Sequence, residues 1–143
     1  MSAEQLITHF FEEVKSGKDP DKAHQYMAPL VKAHQVNAEH SATIDRTPDN
    51  YAEHIREFKD MFGDFVVEVQ ELIAQEQKVY VRWKQTGKHV GVVEGYAPTG
   101  KELVEIASAV YRVEDMKIVE YWIQIDRLGM LKQLKQHELE NDK

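Results

Sequence analysis

Lys117-Ile118-Val119-Glu120-Tyr121-Trp122-Ile123-Gln124-Ile125 leads through Asp126-Arg127 into Leu128-Gly129-Met130-Leu131-Lys132-Gln133-Leu134. Aromatic and β-branched residues crowd the first nine positions, which predicts a largely buried strand. Leu128, Met130, Leu131 and Leu134 then give the pattern of an amphipathic helix. Asp126 stands where strand becomes helix. A carboxylate there can accept hydrogen bonds from the first helical N–H groups and complements the positive end of the helix dipole. At the end of a sheet it can equally face a pocket. The sequence therefore leaves two readings of Asp126, a helix cap or a chemical group.

Working outward, Glu114-Asp115-Met116-Lys117 is a tight hairpin turn, and the strand before it is Lys101–Val113. Lys78–Lys88 is a further strand, with Val79, Val81 and Trp83 on one face and Tyr80, Arg82 and Lys84 on the other. Phe65, Val67 and Val69 alternate in a strand from Asp64 onward. Leu72-Ile73 breaks that alternation and predicts a bulge or a strand buried on both faces. Gly87–Gly100 reads as a loop or distorted hairpin, ending in a type I turn at Ala97-Pro98-Thr99-Gly100.

Toward the N-terminus, Ser2 and Gln5 form a capping box. Leu6, Ile7, Phe10, Phe11 and Val14 follow at helical spacing up to Gly17. Asp19-Pro20 opens a short helix with Ala23, Tyr26 and Met27, which Pro29 ends. Leu30–Val36 reads as a short strand and Asn37–Arg46 as a loop. Thr47-Pro48 starts a third helix with the stripe Tyr51, Ile55, Phe58 and Phe62, closed by Gly63. His137–Lys143 reads as a frayed tail. Helices followed by an antiparallel meander and a closing helix predict an α+β fold. Its strongly curved, mostly antiparallel sheet would wrap over the N-terminal helices as a cone-shaped barrel enclosing a cavity.

The 143 residues predict one domain over 1–143. A chain of this length buries roughly 70% of its unfolded surface, enough for a core and one cavity. There is no cysteine, so disulfides, thiolate metal sites and cysteine nucleophiles are excluded. The net charge is −7 with lysines scattered among acids, which argues against nucleic acid as a partner. No run approaches the roughly 18 apolar residues of a membrane span, and Met1–Gln5 is not signal-like. A cytoplasmic protein that does not engage membranes is the expectation.

Four segments together resemble the SnoaL-like polyketide cyclases, also described as ester cyclase-like, within the nuclear transport factor two-like fold. They are Gly87-Lys88-His89-Val90-Gly91, Gly95-Tyr96-Ala97-Pro98-Thr99-Gly100, Glu114–Trp122 and Asp126-Arg127-Leu128-Gly129-Met130-Leu131. Val81-Arg82-Trp83 and Tyr26-Met27-Ala28-Pro29 fit as well, so the resemblance spans nearly the whole chain. It implies a cone-shaped α+β barrel with an apolar pocket, paired as a homodimer or homotetramer through the outer sheet face. The well-understood members close a ring by intramolecular aldol condensation, using an Asp on the last strand and a His on the neighbouring one. Those positions fall on Ile123 and Ala109 here, and Asp126 matches a different acid of the pattern. Met116 also departs from the family, which usually places Gly in that turn.

The resemblance puts Ile123 inside the pocket, and parity then puts Ala109, Tyr111 and Tyr121 there with it. Asp126 and His89 are the candidate catalytic groups, with His89 either facing the pocket or exposed on its loop. His34 is a pocket residue or a hydrogen-bonded edge residue. Arg82 is either buried against Glu120, Glu105 or Asp126, or engaged in an ion pair on a dimer face. No His-x-His or Glu-x-x-His pattern lies on a helix, so no metal site is expected, and the implied acid–base chemistry needs no cofactor. Three functions stay open: a cofactor-independent cyclase, isomerase, lyase or hydrolase acting on a small hydrophobic oxygenated molecule, a non-catalytic module binding such a molecule, or a dimeric scaffold whose cavity is filled by side chains.

Overall fold

Strand β5 (Glu102–Glu114) alternates buried and half-buried residues along nearly its whole length, and it organises the sheet. The computed structural model describes residues 1–141. Helix α1 (Ala3–Phe10) starts from the expected capping box and continues as one π-helical segment, Phe11–Lys15. A 3-10 turn, Pro20–Lys22, leads into α2 (Ala23–Tyr26), and β1 (Met27–Gln35) follows directly. Next come β2 (Ala42–Arg46), α3 (Pro48–Phe62), β3 (Val66–Gln75) and β4 (Lys78–Lys88). After β5, strand β6 (Lys117–Ile125) and helix α4 (Arg127–Asn141) complete the described chain.

The six strands form one sheet in the order β2-β1-β6-β5-β4-β3. Every pairing is antiparallel except β1 with β6. The fold is α+β with a mostly antiparallel sheet, as the sequence predicts, but the sheet is open: β2 and β3 are free edges, so it is not a closed barrel. One face packs on α1 and α3. Phe10 and Phe11 meet Tyr111 with ring centroids 5.9 and 5.8 Å away, and Phe11 meets Trp83 at 5.2 Å.

Four local expectations need correction. Asn37–Arg46 contains β2, an edge strand with three of its five residues exposed, so it carries no apolar alternation to read. Pro29 lies inside β1 and does not end a helix. It falls where the β1–β6 register shifts, between Met27 and Lys32, a place where a missing N–H costs no ladder bond. Ala97–Gly100 does not close on itself, because the Gly100 N–H donates to the His89 carbonyl and extends the ladder between the flanking strands. The tight turn is at Glu94-Gly95, between the bridged Val93 and Tyr96. Lastly, His137–Asn141 is helical; Asp142 and Lys143 lie outside the described residues. The bulge expected near Leu72-Ile73 occurs between Val69 and Glu71.

Candidate functional site

A cleft of about 730 Å³ opens between the concave sheet face and the helices α3 and α4. Each wall follows from local sequence. Thr47 caps α3 by accepting from the Asn50 N–H at 3.1 Å, which aims Phe58, Met61 and Phe62 at the sheet. Asp126 starts α4 by accepting from the Gly129 N–H at 2.9 Å, and Leu128, Met130 and Leu131 form the facing wall. A side chain at position 129 would collide with the Asp126 carboxylate, so the cap itself requires glycine there. Gln133 anchors α4 to β5 through two bonds to the Val104 backbone, at 2.9 and 2.8 Å. Across the mouth, Arg127 pairs with Glu39.

Strand register sets the sheet behind the cleft, of which Glu105 and Ile125 reach the lining. Gln85 lies opposite Glu105, Trp83 opposite Ala107, Val81 opposite Ala109 and Val79 opposite Tyr111. On the other side of β5, Ala107, Ala109 and Tyr111 face Ile125, Ile123 and Tyr121. Glu105 lines the cleft yet is only 8% exposed, and burial holds its carboxyl above the ordinary range against the pull of Lys15. Lys15, on the π-helical segment, is 4% exposed. Its ammonium sits 4.8 Å from the Trp83 ring centre and 5.4 Å from that of Phe58. Burial pushes its pKa down to about 8, with Glu105 opposing and Arg46 adding to the fall. Burial likewise pushes His54 down to about 3, helped by the Arg46 and Lys15 charges. Three buried N–H groups on this side have no hydrogen-bond partner among the described residues: Arg46 Nε, Trp83 Nε1 and Gln85 Nε2.

The family model for SnoaL-like polyketide cyclases matches residues 5–134. This chain belongs to that family. Among solved structures, it is similar to a candidate polyketide cyclase from Acidithiobacillus ferrooxidans, at 26% identity and a TM-score of 0.82, over 94% of this chain and 95% of that one. IdmH, a candidate polyketide cyclase from Streptomyces antibioticus, shares 26% identity with a TM-score of 0.78, over 94% and 99% of the two chains. AclR, a candidate hydroxylase from Streptomyces galilaeus, shares the fold at 20% identity and a TM-score of 0.78, over 94% and 81%. No curated protein matches this chain.

Ile123 and Ala109 occupy the two inward positions expected from the resemblance, directly opposite each other, and offer no proton-transfer group. Tyr111 and Tyr121 are buried beside them with ring centres 5.4 Å apart. Asp126 is exposed, and its carboxylate is engaged as the helix cap, the first of its two readings. His89 is buried, not exposed, but its Nε2 meets the Tyr96 carbonyl at 3.1 Å, so it ties the Gly87–Gly100 loop together away from the cleft lining. His34 lies on the outer face, bonded to Glu120 at 2.6 Å and Thr43 at 2.9 Å and stacked on Trp122. Of the two readings it is the hydrogen-bonded one, but on an interior strand, since β1 pairs with both β2 and β6. Arg82 is exposed on that same face, with Nε 3.4 Å from Gln70 Oε1, and meets none of the three acids proposed for it. The residues the sequence reading missed are Glu105, Lys15, His54, Arg46 and Gln85. Among the described residues, no three of His, Asp and Glu converge to hold a metal ion.

Proposed function

We propose that the cleft binds a small hydrophobic oxygenated molecule and that Glu105 moves a proton on it without a cofactor, in a cyclase, isomerase or lyase reaction. The observation that carries this reading is a buried acid on the floor of a largely apolar cleft. A carboxylate whose pKa is held above its ordinary range is a stronger base than an exposed one, which suits it to take a proton from a substrate. Gln85 lies opposite it on β4, and the buried Gln85 Nε2 and Trp83 Nε1 behind the cleft lining have no partner among the described residues, so a ligand oxygen that reached them would be held there. Membership of the SnoaL-like family supports the substrate class.

The absence of an acid–base pair at Ile123 and Ala109 favours a second reading, a non-catalytic binding module. A thermal-shift screen against aromatic polyketides, steroids and terpenoids, with mass spectrometry of each hit, separates the two. Under the first reading a hit raises the melting temperature and is converted, and Glu105→Gln keeps the shift while losing the product. Under the second, no product forms with either chain. Asp126→Ala serves as the control: loss of the cap lowers stability by about 1 kcal/mol and leaves conversion unchanged. A loss of conversion at full stability would return Asp126 to the site.

We also infer a homodimer or homotetramer through the outer sheet face, where Val36, Tyr80, Val110 and Trp122 border a shallow hollow. Light scattering tests it directly. No described helix is long and apolar enough to cross a membrane. A cytoplasmic location, with neither nucleic acid nor membrane as partner, is part of the same proposal.

A further inference from the structure

The buried side-chain atoms left without a partner on the concave side of the sheet, among the described residues, are all nitrogens. Arg46 shares the inner face of β2 with Ala42 and Ile44, both of which line the cleft. Its Nε is buried without a partner, as are Trp83 Nε1 and Gln85 Nε2 on β4. Lys15 adds an ammonium held against two aromatic rings, one of them the cleft residue Phe58. Neither Arg46 nor Lys15 takes part in an ion pair among the described residues. The one acid on this floor is Glu105. The buried Lys15 and the half-buried Arg46 therefore share this side with one buried carboxyl, while the other two acids of the cleft, Glu39 and Glu94, are exposed and Glu39 is paired with Arg127.

We propose that the ligand is an apolar acid, whose carboxylate reaches in toward Arg46, Lys15 and the unpartnered Trp83 and Gln85 N–H groups while its hydrophobic body fills the mouth. The proposal rests on the cleft being a small-molecule site, and it adds the charge of the occupant. An unpaired buried donor is costly, and an anionic acceptor satisfies several at once. The mouth suits the other end of such a molecule, with Phe58, Met61, Phe62, Ile125, Leu128 and Leu131 for walls. Titration behaviour agrees. Burial is the main cause of the shifts at Lys15, Tyr51, His54 and Tyr121, and the Arg46 charge acts on all four, so it is felt throughout the interior. Burial of Glu105 also favours its neutral form, which leaves the two cations less compensated.

Matched probes that differ only in the head group test this. They are 2-naphthoate against 2-naphthalenemethanol and biphenyl-4-carboxylate against biphenyl-4-methanol, titrated calorimetrically at neutral pH. Each acid should bind the wild-type chain at least tenfold more tightly than its alcohol. Arg46→Met should bring each pair to within about threefold by weakening the acid alone, and Lys15→Met should narrow the gap in the same direction. Alcohols that bind as tightly as the acids would overturn the proposal while leaving the cleft reading intact. So would a preference that survives both substitutions. If neither member of either pair binds, the cleft reading falls, and this inference falls with it.

Discussion

Glu105 and Glu120 are both strand carboxylates, on adjacent strands, and they face opposite sides of one sheet. Glu120, on the convex side, accepts from Arg112 Nε at 3.0 Å and meets His34 at 2.6 Å. Those bonds, His34 first, hold its carboxyl below the ordinary range. Glu105, on the concave side, makes no ion pair within 4.0 Å among the described residues, and burial holds it above that range. The tryptophans repeat the contrast: Trp83 is fully buried with a free N–H, whereas Trp122 is half-buried and stacked on His34 at 5.2 Å. The outer face has paired its polar groups with one another. The inner face has taken Arg46 Nε, Trp83 Nε1 and Gln85 Nε2 out of water and left them without partners among the described residues. The first arrangement satisfies its polar groups within the fold, and the second is the one on which the proposed ligand rests.

The largest test of that contrast is the tryptophan pair. Trp83→Ala should cost about 3–5 kcal/mol, because a buried ring leaves a cavity that close-packed neighbours fill only in part. Trp122→Ala in the monomer should cost about 1 kcal/mol, as for a partly exposed stacked ring. Urea denaturation at several protein concentrations measures both, and a concentration-dependent loss at Trp122 would report an assembly through the outer face. Equal losses in the monomer would erase the distinction between the faces.

Lys15 sharpens the comparison through pH. Its native pKa is about 8 against 10.5 for the free side chain, so the native chain binds fewer protons than the unfolded chain between those values. Stability then rises with pH across that window, and below pH 8 the whole cost of holding the ammonium inside is present. That cost is about 3 kcal/mol. Lys15→Met keeps the apolar stem and removes the charge. It gives up about 1–2 kcal/mol of stacking on the two rings. The variant should therefore be about 1–2 kcal/mol more stable at pH 7, with the rise between pH 8 and 10.5 gone. Melting temperature followed against pH checks both features, and an unchanged slope would mean that the ammonium reaches solvent.

The two glutamates should give slopes of opposite sign. Glu105 has a raised native pKa, so the native chain holds its proton more tightly and stability falls as pH climbs past 4.5. Glu105→Gln should remove that fall and stabilise the chain at neutral pH. Glu120 has a lowered native pKa, so its contribution is present above 4.5 and lost as pH drops through the native value. Glu120→Gln should cost under about 1 kcal/mol at neutral pH, since its partners are partly exposed. Slopes of the same sign would show that the two environments do not differ in the way described.

Much of the architecture is legible locally. Lys78–Lys88 and Lys117–Ile125 read from the sequence with their observed boundaries, because each alternates or is β-branched between clear turn residues. The caps at Ser2 and Thr47 read equally well. Strand β2 does not, since an exposed edge strand lacks the apolar alternation that marks a strand. Nor does the parallel β1–β6 pairing, which joins segments about 90 residues apart and leaves no local mark. The site divides the same way. Parity that puts Ala107, Ala109 and Tyr111 inside puts Glu105 inside too, so that residue carries a readable signal. Lys15 carries none. On a helix face a lysine reads as solvated, and only Trp83 and Phe58, brought from distant strands and helices, make it an interior charge.

The smallest effect sits at a position that belongs to neither face and so sets the scale for the others. Asp115 and Met116 form the β5–β6 turn with φ of 49° and 58°, both in the left-handed region. Hairpin turns of this kind match the twist of the strands and favour Gly at the second central position. Asp tolerates that conformation better than Met does, and a side chain such as Met pays roughly 1–2 kcal/mol there. Met116 is 38% exposed, so removing it gives up little buried area. Glycine's greater freedom in the unfolded chain takes back about 0.5–1 kcal/mol. Met116→Gly should therefore gain about 0.5–1 kcal/mol, a rise of a few degrees at most in melting temperature for a chain this long. Because the turn touches neither the cleft nor the outer face, ligand binding and pH slopes should stay at wild-type values. A clear fall in melting temperature would mean that the Met116 side chain supports the hairpin through packing that outweighs its backbone strain.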